Sequence, residues 1–147
     1  QGDVGSAGKE TSDRRRDPQD LAGGDDLADL NTAFTVAYRA GDWQAAAAVG
    51  LRLVSLDPDR PVHRYNLACV YARAGSSDES VCWISQAAAG GFWKSGHLAR
   101  DPDLDGVRSH PGFAAAAAAV ERNHATIREV VAERFAALLQ GLGTTFV

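Results

Sequence analysis

The fold of this chain is decided by residues 60–75, which read RPVHRYNLACVYARAG. Three apolar residues of this stretch recur at helical spacing and form one face: Leu67, Ala68 and Tyr71. Gly75 ends the predicted helix, because glycine readily adopts the left-handed conformation found after helix C-termini. A second helix, with Asp78 as its expected N-cap, then runs to Gly90. Two helices of this length cannot bury their shared face alone, so neighbouring helices are expected.

A similar pattern occurs earlier in the chain, where Gly41 precedes Gly75 by 34 residues. The predicted first helix covers residues 26–40, and its apolar face comprises Leu27, Leu30, Ala33, Phe34 and Ala37. Trp43 opens the next predicted helix, and Pro58 ends it because proline disfavours a helical residue before it. We therefore expect two successive helical hairpins whose leading helices share one inner wall.

A 34-residue period built from a helix pair is typical of tetratricopeptide repeats. The chain resembles that family in Ala46 and in the terminal Asp57-Pro58 of its first repeat. In the second repeat it matches the family at Asn66, Leu67, Ala68, Tyr71 and Gly75. It departs from the family at Ala37, where an aromatic residue is usual, at Gly50, where a bulkier one packs, and at Gly90, where Asp-Pro is usual. The resemblance implies an all-α, solenoid-like fold.

Beyond Gly91 the period stops. The sequence there resembles the helical ending that often closes groups of tetratricopeptide repeats in bacterial proteins, with an Asp-Pro-Asp-Leu helix from Asp101 and a Pro-x-Phe helix from Pro111. Terminal repeats need such a cover for solubility. The apolar residues expected to form this cap are Phe92, Trp93, Leu98, Leu104, Val107 and Phe113.

Three segments differ in composition. Residues 1–25 are rich in Gly, Ser, Asp and Arg without a hydrophobic period, which predicts a disordered or extended tail. Residues 26–122 form the expected repeat domain with its cap, and residues 123–147 form a C-terminal helix and a short extended tail. Residues 113–140 contain no Gly or Pro, so they form one long helix or two joined ones. An apolar stripe follows this segment: Val120, His124, Ile127, Val131, Phe135, Leu138 and Leu142.

Composition also restricts the class of function. A net charge of −4 and a pI of about 5.5 argue against a general nucleic-acid binder. No apolar run reaches the length of a membrane span. The chain begins at Gln1 and contains no Met, which favours a processed, extracytoplasmic or secreted protein. Cys69 and Cys82 are expected to be buried free thiols and not a disulfide.

The family resemblance implies a binding groove lined by the first helix of each repeat. The 34-residue register places nine residues on it: Asn31, Thr35, Tyr38, Arg39, Tyr65, Asn66, Cys69, Ala72 and Arg73. Amide and cationic side chains suit an extended peptide, because they bind its backbone and its carboxylates. The predicted partner-binding residues are Asn31, Thr35, Tyr38, Arg39, Tyr65, Asn66 and Arg73. The alternative is that these polar groups only solvate a shallow face.

Other patterns favour neither catalysis nor metal binding. Three carboxylates resemble the start of a calcium loop: Asp101, Asp103 and Asp105. The twelfth position is Gly112 and not Glu, so Asp101 is interpreted as a helix cap. The four His residues lack zinc-ligand spacing, and neither Cys lies in a CxxC pair. Ser95 and His97 are nearly adjacent and lack an orienting acid. No catalytic residue, metal or cofactor is predicted.

Two functions therefore fit the sequence. The first is a non-enzymatic scaffold that binds a peptide or a partner protein through the groove. The second is an exported structural subunit that assembles with copies of itself through its repeats and terminal tails, because repeat arrays stack end to end and open contacts generate filaments. A domain that regulates or recruits an enzyme encoded elsewhere is a third hypothesis.

Overall fold

The computed structural model describes residues 26–143, and the predictions made for residues 1–25 and for the tail 144–147 lie outside this range. Its elements are α1 (Leu27–Ala40), α2 (Trp43–Leu56), α3 (Val62–Arg73), α4 (Ser77–Ala89), α5 (Ser95–Arg100), a 3₁₀ helix (Pro102–Val107) and α6 (Phe113–Gly141). Within the described range the chain contains helices and no strand, so the predicted all-α class is confirmed.

Polar caps and glycines set the limits of the leading helices. The Asp26 carboxylate accepts hydrogen bonds from the amides of Ala28 at 2.8 Å and Asp29 at 3.4 Å, and so begins α1. Gly41 follows α1 in the left-handed conformation with a φ of 70°, and Gly75 follows α3 with a φ of 83°. Both glycines therefore form the corner of a helical hairpin.

The predicted cap of α4 is wrong. The N-cap residue of this helix is Ser76, whose side chain makes no capping hydrogen bond. The Asp78 carboxylate instead lies 2.6 Å from Nε2 of His110. This contact ties the start of α4 to the turn before α6, so Asp78 contributes to the packing of the cap.

Helices α1–α4 pack in chain order, each on the next, and α6 packs on α4. The 3₁₀ helix contacts α3 and α4, and α5 contacts α6. The first core comprises Leu30, Ala33, Phe34, Ala37, Ala46, Val49, Leu53 and Val70. The second core lies between α3, α4 and the cap, and comprises Tyr65, Ala68, Cys69, Val81, Ile84, Ala87, Ala88, Phe92, Leu98, Leu104, Val107, Phe113, Ala116 and Val120. Burial of these apolar side chains drives the packing.

Most of the predicted cap is part of the second core. The buried members are Phe92, Leu98, Leu104, Val107 and Phe113. Trp93 is 41% exposed, so its predicted role in covering the last repeat is wrong. Its ring lies against His124, with 6.0 Å between the ring centroids. Trp93 therefore belongs to the surface beside α6.

α6 is one continuous helix of 29 residues, which answers the question of one helix or two. At 1.5 Å per residue it is about 44 Å long. Its buried residues are Phe113, Ala116 and Val120. Asn123 holds this first half in place, because its Nδ2 donates hydrogen bonds to the carbonyls of Ala88 and Phe92, both at 2.8 Å. The second half extends past the cores, and its apolar stripe is exposed.

Candidate functional site

A groove lies between α1, α3 and the residues that precede and begin the 3₁₀ helix. Its volume is about 360 Å³. Six of the seven predicted partner-binding residues line it: Asn31, Thr35, Tyr38, Arg39, Tyr65 and Asn66. Arg73, the seventh, pairs with Asp103 beside the groove. The two leading helices therefore bring these side chains to one place, as the 34-residue register predicts.

The groove also has lining residues that were not predicted to bind a partner. These are Phe34, Cys69, His97, Asp101 and Asp103. The register places Cys69 on the inner wall, but the other four carry no comparable signal. Asp101 was predicted only to cap a helix. The Asp-Pro-Asp motif offers one hint, because capping uses the first carboxylate and leaves that of Asp103 without a local role.

The Asp101 carboxylate forms the closed end of the groove. This residue is buried, and its Oδ1 accepts a hydrogen bond from the Asp103 amide at 3.0 Å, as expected of a helix cap. Its Oδ2 accepts a hydrogen bond from the Tyr65 hydroxyl at 2.6 Å and lies 3.6 Å from the Cys69 sulfur. Nε2 of His97 lies 3.3 Å from the same oxygen. Three side chains therefore converge on one buried oxygen.

Asp103 joins the two hairpins. One carboxylate oxygen accepts a hydrogen bond from the Tyr38 hydroxyl of α1, and the other pairs with Nη1 of Arg73 in α3 at 2.9 Å. The Arg73 guanidinium also lies over the Trp43 ring, 5.2 Å from its centroid, which adds a cation–π attraction. The cap therefore reaches across the inner wall and contacts both leading helices.

Burial determines the protonation state of the Tyr65, Tyr38 and Cys69 side chains that lie beside Asp101 and Asp103. Burial raises the pKa of Tyr65 and the pKa of Tyr38 well above the usual tyrosine value, and their hydrogen bonds to Asp101 and Asp103 add to the rise. The pKa of the Cys69 thiol is also raised, first by burial and then by the negative charge of Asp101. All three groups are therefore protonated at neutral pH. A thiol in this state is a poor nucleophile.

This network gives three predicted binding residues internal roles. Tyr65 is 3% exposed and stacks on Phe92, with 4.4 Å between the ring centroids, so it is a core residue. Tyr38 and Arg73 are both bonded to Asp103. Replacement of Tyr65 is therefore expected to lower the stability of the fold.

The other four predicted binding residues remain accessible: Asn31, Thr35, Arg39 and Asn66. Asn31 donates a hydrogen bond to the Leu27 carbonyl at 2.8 Å, and the Thr35 hydroxyl donates to the Asn31 carbonyl at 3.0 Å. The side-chain oxygens of both residues thus remain free to accept. Among residues 26–143, the side chains of Asn66 and Arg39 have no hydrogen-bond or ion-pair partner.

Two residues singled out in the sequence, Cys82 and Asp105, are not part of the groove lining. Cys69 and Cys82 are both free thiols, as expected, but Cys82 is exposed on α4 and not buried. Asp105, the third carboxylate of the calcium-like run, is exposed and pairs with Arg108 at 3.2 Å. Asp105 therefore pairs with a residue of the cap, whereas Asp101 and Asp103 contact residues of α1 and α3.

Ser95 contacts a different histidine from the one considered in the sequence. Its Oγ lies 2.7 Å from Nδ1 of His124, and the Glu121 carboxylate approaches the same nitrogen at 4.0 Å. A Ser-His-acid triad requires the serine and the acid on opposite ring nitrogens. This contact therefore supports the packing of α5 on α6 and does not form a triad.

Comparison of the chain with protein-family models, with curated proteins and with solved structures finds no match. In the part of the chain that the structure describes, no helix combines the length and the apolar character needed to cross a membrane.

Proposed function

We propose that this chain is a non-enzymatic, tetratricopeptide-type module that binds an extended segment of a partner protein in the groove between α1 and α3. The observation that supports the proposal is the set of accessible polar side chains on one wall: Asn31, Thr35, Arg39 and Asn66. Asn31, Thr35 and Arg39 lie on α1 and Asn66 lies on α3, and the groove lining contains two pairs related by the 34-residue period, Asn31 with Tyr65 and Thr35 with Cys69. A polar patch confined to one helix would not contain pairs of residues that are 34 positions apart.

The chemistry of these side chains suits a peptide backbone. The Asn66 amide offers both a donor and an acceptor, so it can pair with one peptide group of a bound segment. Arg39 adds a positive charge at the exposed edge of the groove and favours an acidic side chain or a terminal carboxylate on the partner. Arg73 is already paired with Asp103, so Arg39 supplies the charge selection.

A library of displayed random peptides, selected on the full chain, tests this proposal. The affinity of a selected peptide for the variant with both Asn66→Ala and Arg39→Ala should fall about 30-fold or more, because one neutral and one charge-assisted hydrogen bond are lost. Gln44→Ala with Arg122→Ala is the matched control on other helices and should leave affinity unchanged. Selected peptides that bind the groove variant and wild type equally would refute the proposal. Failure to select any peptide would count equally against it.

A second candidate function is a structural subunit that associates with copies of itself. The observation that favours it is the exposed stripe on the second half of α6. Val131, Phe135, Leu138 and Leu142 are 61–73% exposed and follow spacings of three and four residues. Trp93 and Ile127 continue the same apolar surface toward the cap. Apolar helix faces of this kind commonly contact another helix.

Size-exclusion chromatography with light scattering distinguishes this second function. Self-association through α6 predicts a mass that rises with protein concentration and returns to that of one chain in the variant Phe135→Gln with Leu138→Gln. Ala136→Gln, on the opposite face of the same helix, should leave the mass unchanged. A single-chain mass at all concentrations would exclude association through this stripe.

A further inference from the structure

Sulfur, nitrogen and oxygen donors converge at the closed end of the groove. The Cys69 thiol comes from α3 and the His97 imidazole from α5, whereas Asp101 and Asp103 lie at the start of the 3₁₀ helix. The ligand atoms of Cys69, Asp101 and Asp103 all lie within 4.8 Å of one another. Nε2 of His97 lies 3.3 Å from Oδ2 of Asp101. Mixed donors of these types are typical of sites for Zn²⁺ and related ions.

The two separations from Asp101 Oδ2 to the sulfur and nitrogen donors match those around a tetrahedral ion. Zn²⁺ holds thiolate sulfur at about 2.3 Å and nitrogen or oxygen at about 2.1 Å, so its ligand atoms lie about 3.4–3.6 Å apart. The Cys69 sulfur lies 3.6 Å and the His97 nitrogen 3.3 Å from the same Asp101 oxygen. Asp103 is the fourth candidate ligand, because its carboxylate oxygen lies within 4.8 Å of the Cys69 sulfur and of an Asp101 oxygen.

The charge at this end also favours a cation. Asp101 is a buried carboxylate, and among the described residues no Lys or Arg contacts it, because Arg108 reaches only the Asp101 main-chain carbonyl. The Tyr65 hydroxyl and the Asp103 amide donate hydrogen bonds to this carboxylate but bring no formal charge, and a buried carboxylate is stabilised further by a cation. With the Cys69 thiol ionised, the three ligand charges are balanced by a divalent ion and the Arg73 guanidinium.

The residues around these donors resemble the outer partners of a metal site. The Tyr65 hydroxyl donates to Asp101, and the Tyr38 hydroxyl and Arg73 donate to Asp103. Ligating carboxylates in metal sites are usually oriented by hydrogen bonds of this kind. The four ligand atoms thus come from three separate elements. Hydrogen-bond donors on α1 and α3 hold the two carboxylates in place.

We propose that Cys69, His97, Asp101 and Asp103 bind one divalent transition-metal ion of the Zn²⁺ class. Four protein ligands complete a tetrahedral shell, which is the arrangement of structural zinc sites. The ion joins α5 and the 3₁₀ helix to α3 and so fastens the cap to the second hairpin. The thiol proton leaves to solvent, and His97 binds as a neutral imidazole through Nε2. This proposal does not depend on a partner in the groove.

Titration of the metal-free full chain with Co²⁺ tests the proposal. Tetrahedral Co²⁺ with a thiolate ligand shows visible bands and a near-ultraviolet charge-transfer band that nitrogen and oxygen ligands alone do not produce. We expect both, at one ion per chain, and displacement of the Co²⁺ by Zn²⁺. Cys69→Ser should remove the charge-transfer band and weaken Zn²⁺ binding by about tenfold or more. Cys82→Ser is the matched control, because it changes an exposed thiol on α4, and should alter neither property.

A second variant keeps the test decisive if Cys69→Ser does not fold. His97 is 60% exposed, so His97→Ala should retain the fold, which circular dichroism checks. Its expected result is a tenfold or greater loss of Co²⁺ affinity with the charge-transfer band retained at saturation. The proposal is overturned if wild type develops no charge-transfer band, if Cys69→Ser keeps it, if Cys82→Ser loses it or if His97→Ala binds as tightly as wild type.

Discussion

Replacement of Gly50 by alanine probes the contact between the two hairpins. A Cβ atom at Gly50 in α2 would lie 2.7 Å from Cδ2 and 3.0 Å from Cγ of Leu67 in α3, and 3.4 Å from Cε2 of Phe34. Leu67 is fully buried. Because both carbon atoms of Leu67 are too close, rotation of one methyl group cannot relieve the contact. Either α2 and α3 move apart or Leu67 leaves its preferred rotamer.

Two opposing contributions determine how much Gly50→Ala changes the free energy of unfolding. Overpacking a core costs about 1–3 kcal/mol, and the shortest distance here places Gly50→Ala in the upper part of that range. Alanine is favoured over glycine inside a helix by about 1 kcal/mol, which offsets part of the cost. The net expectation is a loss of about 1–2 kcal/mol in the free energy of unfolding. Overpacking therefore prevails over helix propensity at this position.

Urea unfolding followed by far-ultraviolet circular dichroism measures this loss as a lower midpoint at unchanged slope. Gly141→Ala is the matched control, because a Cβ at the end of α6 meets no atom within 4 Å. That substitution should be neutral or slightly stabilising. Gly50→Ala should also become stabilising in a Leu67→Ala background, where the clash is absent. A Gly50→Ala variant as stable as wild type, or an equal cost in both backgrounds, would refute the reasoning.

Three further predictions concern buried polar groups. Ser80→Ala should cost about 1 kcal/mol in urea unfolding, because the buried Ser80 hydroxyl donates to the Ala68 carbonyl at 2.7 Å, whereas the exposed Ser85→Ala should change little. Asn123→Ala should cost about 1–2 kcal/mol in thermal unfolding, because the Ala88 carbonyl in the last turn of α4 and the Phe92 carbonyl after it lose the Asn123 donor. The metal-free chain should lose stability above about pH 8.5, by up to about 1.4 kcal/mol per pH unit, because the unfolded chain releases the Cys69 proton that the folded chain retains. Urea unfolding from pH 7 to 10 measures this loss of stability. The Cys69→Ser variant should lack the part of the loss that begins at about pH 8.5.

Local signals in the sequence predict the helices and their ends. Asp26 and Gly41 limit α1 as expected, and the break at Pro58 separates the two hairpins. These features act over one turn of chain, so they can be read without knowledge of the packing. The prediction for Asp78 is wrong because a contact with His110, far along the chain, competes with the local cap.

The groove is predictable only where the repeat register defines it. The register gathers Asn31, Thr35 and Asn66 because a fixed period and a helical face are enough to place them. The contacts of Asp101 and Asp103 join residues 30 to 65 positions apart in the sequence. No periodic signal relates the cap to the leading helices, so its carboxylates could not be placed in the groove from the sequence. For the same reason, the sequence does not predict that His97, Asp101 and Asp103 lie close to Cys69.

The need for a cap explains why the groove has one closed end. Two hairpins leave one face of α4 open, and the residues after Gly91 cover it. To do so, the 3₁₀ helix packs on both α3 and α4, which brings its first carboxylates to the inner wall. Hydroxyl and guanidinium groups of that wall then bind these carboxylates and not those of a ligand. The two hairpins therefore determine where the groove lies, and the cap determines which of its polar groups remain accessible.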